Sequence, residues 1–297
     1  MAAGAFLGWL AVAPLLAQQP IRVDVSLVLV EATVKDKSGK IVAGLQKEDF
    51  RVFEEGQLQT IAHFSQDQIP LAVALVVDLS GSIEPFLRPL RYASSTALKT
   101  LKREDEVALF TFSGGVDRVV DLTRDKRRAS DHIELFVAGG RTNINQALYD
   151  AATYLEAEAP AARRVIILVS DMVPTESGSA SPQQITATVL QADAAVYGLK
   201  VPGRNPMAAR AASAFKGGLV NVAKLAEESG GEVFNMEKEG SLFLAFQTLI
   251  ERLKTRYTLG FYPANKTRDG TFRRLEVKLH DKGYRVLAKR GYYAPRR

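Results

Sequence analysis

The sequence contains no cysteine and only three histidines, His63, His132 and His280, which are far apart in the chain. The absence of cysteine excludes disulfide bonds, thiol catalysis and zinc sites with cysteine ligands. Because the histidines are scattered, a metal site built from histidine is not expected either. Beyond the N-terminal segment, no apolar run approaches the ~20 residues that a membrane-spanning helix needs.

The composition is that of a globular protein. Of 297 residues, 46% are hydrophobic and 24% are charged, which suits one large domain or two modest ones. The formal net charge is +6, and the short basic runs Lys126-Arg127-Arg128 and Arg296-Arg297 are typical of solvated faces. Nucleic acid is therefore not an expected partner.

The N-terminal segment has the pattern of a secretory signal. Residues 1–17 carry no charged side chain, and the apolar run Ala5–Leu16 is followed by the small residue Ala17. Such a run is too short to span a bilayer, which favours a signal peptide that is cleaved, with a retained N-terminal anchor as the alternative. We expect an exported protein, periplasmic or extracellular, with no stable membrane span after cleavage.

Two regions, residues 18–69 and 255–297, show the alternation of half-buried β-strands. In the first, the apolar positions are odd from Ile21 and become even after Val28, which indicates a bulge or a change of covered face. In the second, Tyr257, Leu259 and Phe261 fall on one face. Neither region has enough strands to be stable alone, so we expect them to pack together as a small additional β region.

Residues 70–254 alternate between strand and helix patterns. Leu71–Val77 and Val165–Val169 are continuous apolar runs, as expected of strands covered on both faces of a parallel sheet. Further strands are predicted at Val107–Phe112 and Ala194–Val201, and Pro202–Lys216 is predicted to be a loop. The order predicts an α/β domain with a doubly wound, mostly parallel sheet flanked by helices. Two apolar stripes have helical spacing: Ile83, Leu87, Leu90, Ser94, Ala97 and Leu101, and Ile144, Leu148, Ala151 and Leu155.

Oxygen-bearing side chains follow the first apolar strand directly. Asp78, Ser80 and Ser82 are spaced by two residues, so an extended loop can direct all three toward one point. Ligands of open α/β sheets bind just past the carboxyl ends of the strands. One carboxylate and two hydroxyls are hard donors that suit Mg²⁺. Two further loops offer Thr142, before the second helix, and Asp171, after the strand that includes Val165–Val169. We expect the three loops to converge.

These residues resemble the metal-ion-dependent adhesion site of the von Willebrand factor type A family. In that family an Asp-x-Ser-x-Ser loop is followed by a threonine before a later helix and an aspartate after the fourth strand. The resemblance assigns the metal to Asp78, Ser80, Ser82, Thr142 and Asp171. It implies that the three hydroxyls bind Mg²⁺, with Mn²⁺ or Ca²⁺ as alternatives. The two carboxylates would balance charge, and one position would stay open for an Asp or Glu of a protein partner.

The flanking regions extend the resemblance over nearly all of the mature chain. Motifs around Lys47-Glu48-Asp49-Phe50, Gly260-Phe261-Tyr262-Pro263 and Gly291-Tyr292-Tyr293 resemble a subgroup of exported acidobacterial proteins. Many family members have glycine after the third-loop aspartate, whereas this chain has Met172. That departure could make the loop stiffer or the partner surface more apolar.

Other interpretations of the same residues remain open. Ser80 or Ser82 could cap the helix that follows, and Asn143 with Gln146 could form a capping box. A phosphoryl hydrolase could use Asp78 as a Mg²⁺-assisted nucleophile, but phosphatases of this type need an acid two residues later, where Ser80 stands. A structural or assembly protein of the cell envelope with a non-essential metal site is the third possibility. A binding module rather than an enzyme is our prediction; the sequence leaves the oligomeric state open.

Overall fold

The computed structural model describes residues 27–66, 69–173, 179–203, 218–236 and 242–296. The predicted signal peptide, the start of the alternating segment at Ile21 and most of the loop predicted at Pro202–Lys216 lie outside this part of the chain. The strands are, in chain order, β1 (Val28–Lys35), β2 (Phe50–Glu54), β3 (Gln57–Gln59), β4 (Ile61–Gln66), β5 (Leu71–Asp78), β6 (Glu106–Phe112), β7 (Val116–Thr123), β8 (Arg163–Ser170), β9 (Ala194–Lys200), β10 (Val233–Asn235), β11 (Tyr257–Phe261), β12 (Phe272–Leu279), β13 (Arg285–Ala288) and β14 (Gly291–Tyr293).

The helices lie between the strands of the central part of the chain. They are α1 (Leu87–Thr100), α2 (Lys126–Glu134), α3 (Ile144–Glu158), α4 (Pro182–Gln191), α5 (Val222–Ser229) and α6 (Leu242–Lys254), with short 3-10 turns at Lys47–Asp49 and Gly81–Phe86. No helix within the described ranges is long and apolar enough to span a bilayer. Both predicted helical stripes are buried, and they lie along α1 with its preceding turn and along α3.

A six-stranded sheet in the order β10-β9-β8-β5-β6-β7 forms the centre of the α/β region. All neighbours are parallel except β6 and β7, which are antiparallel. Every residue of β5 is buried. Its odd positions pack with α1, α2 and α6, and its even positions pack with α3, α4 and α5. The predicted doubly wound, mostly parallel sheet is therefore confirmed, and coverage of both faces explains the continuous apolar run of β5.

The two flanking β regions form one β-sandwich, which confirms that they pack together. One sheet has the order β13-β1-β11-β4 and the other β14-β12-β2-β3. Their inner faces share a core that includes Val30, Phe50, Tyr257 and Leu275. In β1 the even positions Val30, Ala32 and Val34 are fully buried, which explains why the apolar pattern is even in this strand.

Polar contacts join the sandwich to the edge of the central sheet where the parallel strands begin. Glu31 of β1 pairs with Arg163 at the start of β8, and Lys289 pairs with Asp193, just before β9. The buried Arg256 donates hydrogen bonds to the Thr33 hydroxyl and to the Gly230 carbonyl. These contacts lie at the amino ends of the parallel strands. They therefore do not bring the sandwich over the carboxyl ends.

Candidate metal centre

The order of the central strands reverses between β5 and β8. From β5 the chain adds β6 and β7 on one side, and from β8 it adds β9 and β10 on the other. Asp78 is the last residue of β5, and Asp171 comes directly after β8. Since these strands are parallel neighbours, both residues lie at the same edge. In open α/β sheets this reversal is where ligands bind.

Asp78 is fully buried and accepts hydrogen bonds from two neutral donors. The backbone N–H of Ser80 donates to its Oδ1 at 2.8 Å, and the Ser170 hydroxyl donates to its Oδ2 at 2.6 Å. The Ser170 hydroxyl in turn accepts from the N–H of Met172 at 2.9 Å. These bonds fix the carboxylate at the end of β5 without placing a cationic side chain against it.

Burial raises the pKa of Asp78 to about 6, and the negative charge of the nearby Asp171 acts in the same direction. The hydrogen bonds from Ser170 and Ser80 oppose this shift but do not cancel it. Burial disfavours the charged form of a carboxylate, and a cation that lies beside it makes the charged form favourable again. The electrostatics of the Asp78 carboxylate therefore suit a bound cation.

The two serines of the first loop lie together beside Asp78. Their hydroxyl oxygens are 3.1 Å apart; Ser80 is buried and Ser82 is half-buried. Ser80 occupies the N-cap position of the 3-10 turn Gly81–Phe86, but its side chain makes no capping bond there. The capping interpretation of Ser80 is therefore not supported, and its hydroxyl points to Ser82 instead.

The loop that carries Thr142 packs against the residues that follow β5 and β6. The N–H of Gly139 donates to the Leu79 carbonyl at 2.7 Å. Gly140 has a φ of +87°, and an added Cβ would lie 2.4 Å from the Ser113 carbonyl oxygen. Thr142 itself is 2% exposed. The backbone thus brings Thr142 to the same sheet edge as Asp78, while Asn143 caps α3 by accepting from the N–H of Gln146.

Asp171 is 4% exposed and is held by its own loop. Its Oδ1 accepts from the N–H of Val173 at 2.9 Å, and a Cβ on Gly203 would lie 3.0 Å from its Oδ2. Met172 has a φ of +57°, a backbone conformation that glycine adopts at no steric cost. The Met172 side chain packs against Gly198.

The donor set consists of two carboxylates and three hydroxyls: Asp78, Asp171, Ser80, Ser82 and Thr142. These are hard oxygen donors of the kind that Mg²⁺, Mn²⁺ and Ca²⁺ prefer. Over the described ranges there is no group of three or more His, Cys, Asp or Glu side chains that could hold a metal. A metal centre at this edge would therefore depend on hydroxyl ligands, and the residues present fit such a site.

Two residues that sequence reasoning did not assign support this edge. The Ser170 hydroxyl donates a hydrogen bond to Asp78. In the sequence, only its position directly before Asp171 could have indicated this role. Asn145 is fully buried in the first turn of α3. It donates to the carbonyls of Ala180 and Gly218 and accepts from the N–H of Val220. Asn145 thus ties two separate loops to the helix that follows Thr142.

Comparison with known proteins finds a family match in the central region. Residues 73–173 match the family model described as von Willebrand factor type A domain, and this range contains all five candidate ligands. The curated protein sequences contain no significant match to the chain.

Several solved structures are similar. A von Willebrand factor type A protein from Catenulispora acidiphila has 14% identity and a TM-score of 0.47, over 91% of this chain and 73% of that one. An aerotolerance-related membrane protein from Bacteroides fragilis has 17% identity and a TM-score of 0.46, over 61% and 99%. The pilus adhesin SpaC from Lactobacillus rhamnosus GG has 12% identity and a TM-score of 0.48, over 89% and 48%, so this chain spans about half of that adhesin.

Proposed function

We propose that this chain, which carries a von Willebrand factor type A domain, is a protein-binding module that engages its partner through a divalent cation. The observation that carries the proposal is the pair of buried carboxylates, Asp78 and Asp171, at the point where the strand order reverses, with Ser80, Ser82 and Thr142 on loops that meet at this edge. Burying two carboxylates in one site is energetically unfavourable unless a cation or a proton compensates their negative charge.

Each side chain has a role that follows from its chemistry. The hydroxyls of Ser80, Ser82 and Thr142 are neutral oxygens that bind a cation without cancelling its charge. Asp78 and Asp171 are buried carboxylates whose negative charges balance the charge of the cation. When bound, the cation supplies the positive charge that attracts an acidic side chain of the partner. Mg²⁺ is the proposed ion, with Mn²⁺ and Ca²⁺ as alternatives that the same oxygen donors could bind.

The partner in this proposal is a protein that presents an Asp or Glu. We place the encounter outside the cytoplasm, in the periplasm or beyond it, because the charge-free segment at residues 1–17 has the pattern of an export signal.

Calorimetry of the chain with Mg²⁺ and Mn²⁺, after removal of metal with a chelator, tests the proposal. We expect saturable binding of one ion by the wild type and no binding by Asp78→Asn or Asp171→Asn. Asp131→Asn is the matched control, because Asp131 is an exposed carboxylate on α2. Equal binding by all three variants, or none by the folded wild type, would overturn the metal site and leave an envelope structural role in its place.

The hydrolase alternative has less support from the geometry. A nucleophilic Asp78 would need a general acid within reach, but the residue two positions later is the buried Ser80, whose hydroxyl contacts Ser82. Hydrolysis of p-nitrophenyl phosphate with Mg²⁺, abolished by Asp78→Asn, would favour that alternative over a binding module.

A further inference from the structure

Two large apolar side chains on the loop that leads to Thr142 are exposed to solvent. Val137 is 79% exposed and Leu135 is 75% exposed, the two highest values among the large hydrophobic residues of the described ranges. They lie two residues apart on the loop between α2 and α3. We call this pair the aliphatic ridge. Single exposed hydrophobic residues are normal, whereas contiguous exposed apolar surface marks interaction sites.

The loop that carries the aliphatic ridge is fixed to the domain. Phe136, between the two ridge residues, is 5% exposed and packs into the core on the α1 side. Its carbonyl accepts a hydrogen bond from Nη2 of Arg91 at 2.6 Å. Gly139 is bonded to the Leu79 carbonyl. Because Phe136 and Gly139 are held against the domain, the side chains of Leu135 and Val137 remain exposed. A partner that packs on them would therefore lose little free energy to ordering of the loop.

The loop of the aliphatic ridge is bonded to the loop that carries the first candidate ligands. Val137 is two residues from Gly139, whose N–H lies 2.7 Å from the carbonyl oxygen of Leu79. From the length of the chain, Cα of Val137 lies within about 12 Å of that oxygen. Leu79 lies between Asp78 and Ser80 in the sequence. A peptide three or four residues long, extended, would cover this distance at ~3.3 Å per residue.

We infer that the partner segment carries an aliphatic or aromatic side chain two to four residues from its acidic residue. The acidic residue binds at the metal centre while the apolar side chain packs on Leu135 and Val137. This inference rests on the proposed function and names the partner more closely. The backbone hydrogen bond from Gly139 to Leu79 joins the ridge loop to the loop of Asp78 and Ser80. The segment from Leu135 to Gly140 carries no charge, so the side chain packed there is expected to be apolar.

The experiment is selection from a library of random peptides displayed on phage, against the full chain in MgCl2 and in a parallel arm with EDTA. In MgCl2 we expect enrichment of peptides with Asp or Glu and with Leu, Ile, Val or Phe two to four positions away, and no such enrichment with EDTA. The double variant Leu135→Ser/Val137→Ser should still enrich acidic peptides, without the apolar preference. Its affinity for the peptides selected on wild type should fall ~10-fold or more, because two buried aliphatic contacts are lost.

Leu58→Ser is the matched control, because Leu58 is 63% exposed on β3 of the sandwich; it should keep the wild-type preference. The ridge residues do not belong to the ligand set, so the double variant should bind Mg²⁺ with unchanged affinity in calorimetry. That result also shows that it folds.

The outcomes separate the inference from the proposed function. Acidic peptides enriched without an apolar preference would overturn the aliphatic ridge and leave the metal-dependent function standing. No magnesium-dependent enrichment of acidic peptides would overturn both. Dimerisation of the wild type that Leu135→Ser/Val137→Ser abolishes, measured by sedimentation, would assign the ridge to a second copy of this chain and overturn the inference.

Discussion

The hydroxyl of Ser170 donates a 2.6 Å hydrogen bond to Oδ2 of Asp78 across the two parallel strands that flank the reversal of strand order. The register places Val169 opposite Val77, so the next residue of each strand lies side by side at the sheet edge. The serine therefore orients the buried carboxylate, and it also accepts the N–H of Met172 in the loop of Asp171. One hydroxyl thus links the two acidic halves of the candidate metal centre.

Replacing Ser170 with alanine should weaken both stability and metal binding. The buried Asp78 carboxylate and the Met172 N–H each lose a partner, which should lower the free energy of unfolding by ~1–3 kcal/mol. Loss of a residue that orients a metal ligand should lower Mg²⁺ affinity ~10–100-fold. Urea denaturation and calorimetry measure the two effects. Ser94→Ala is the control, since the Ser94 hydroxyl is buried and has no hydrogen-bond partner within the described structure; equal losses in both variants would refute a specific role for Ser170.

The metal-free protein should become less stable as the pH rises from about 4 to about 6. The pKa of Asp78 is raised from 3.8 to about 6 in the folded state, so in this window the folded protein binds more protons than the unfolded one. Because the folded state binds more protons, the unfolding free energy falls as the pH rises, by on the order of 3 kcal/mol. It levels off above the pKa of the folded state.

Urea denaturation in EDTA at several pH values measures this slope as the difference between wild type and Asp78→Asn. A difference that is flat, or that grows in favour of wild type with rising pH, would contradict the assigned pKa. Mg²⁺ at pH 7 should restore stability to wild type only, because a ligand that binds the folded state stabilises it.

Gly140→Ala should disturb the Thr142 loop, whereas Gly139→Ala should not. Gly140 has a positive φ, and its added methyl would meet the Ser113 carbonyl at 2.4 Å; Gly139 has open space at the same position. We expect Gly140→Ala to lower the unfolding free energy by ~1–3 kcal/mol and to weaken Mg²⁺ binding. Thermal unfolding with and without Mg²⁺ tests the pair. Similar behaviour of the two variants would show that the loop accommodates the methyl group.

Glu232→Gln should destabilise the junction of the sandwich and the α/β region. The Glu232 carboxylate accepts from Lys35 of β1 at 2.5 Å and from Arg252 of α6 at 2.6 Å. Burial already lowers the pKa of Lys35, and Glu232 opposes that shift. Removing the charge leaves two largely buried cations unpaired, so we expect a loss of ~1–3 kcal/mol.

Glu276→Gln is the surface control for this prediction, because the Glu276–Lys278 pair is more than half exposed. Its effect in urea denaturation should stay within ~0.5 kcal/mol. A Glu232→Gln variant as stable as this control would mean that the junction does not depend on the ion pairs.

Much of the α/β region followed from local sequence patterns. The continuous apolar runs predicted β5 and β8, and the helical stripes predicted α1 and α3, because periodicity alone indicates which faces are buried. The position of Asp78 at a strand end is a property of the chain order, and so are the serines that follow it. The antiparallel strand β7 and the short strand β10 were not predicted, because edge strands carry a weaker apolar signal than buried ones.

The amino-acid sequence by itself determined the buried strands β5 and β8, the helices α1 and α3, and the oxygen donors that follow the strands, since these depend on neighbours a few residues apart. Only the tertiary structure decided that β1 pairs with β11 rather than with another alternating strand. It likewise decided that Ser170 meets Asp78 and that Phe136 turns inward while Leu135 and Val137 turn outward. These features depend on strand register and on packing between segments far apart in the chain. Many pairings satisfy the same local alternation, and only the packed core selects among them.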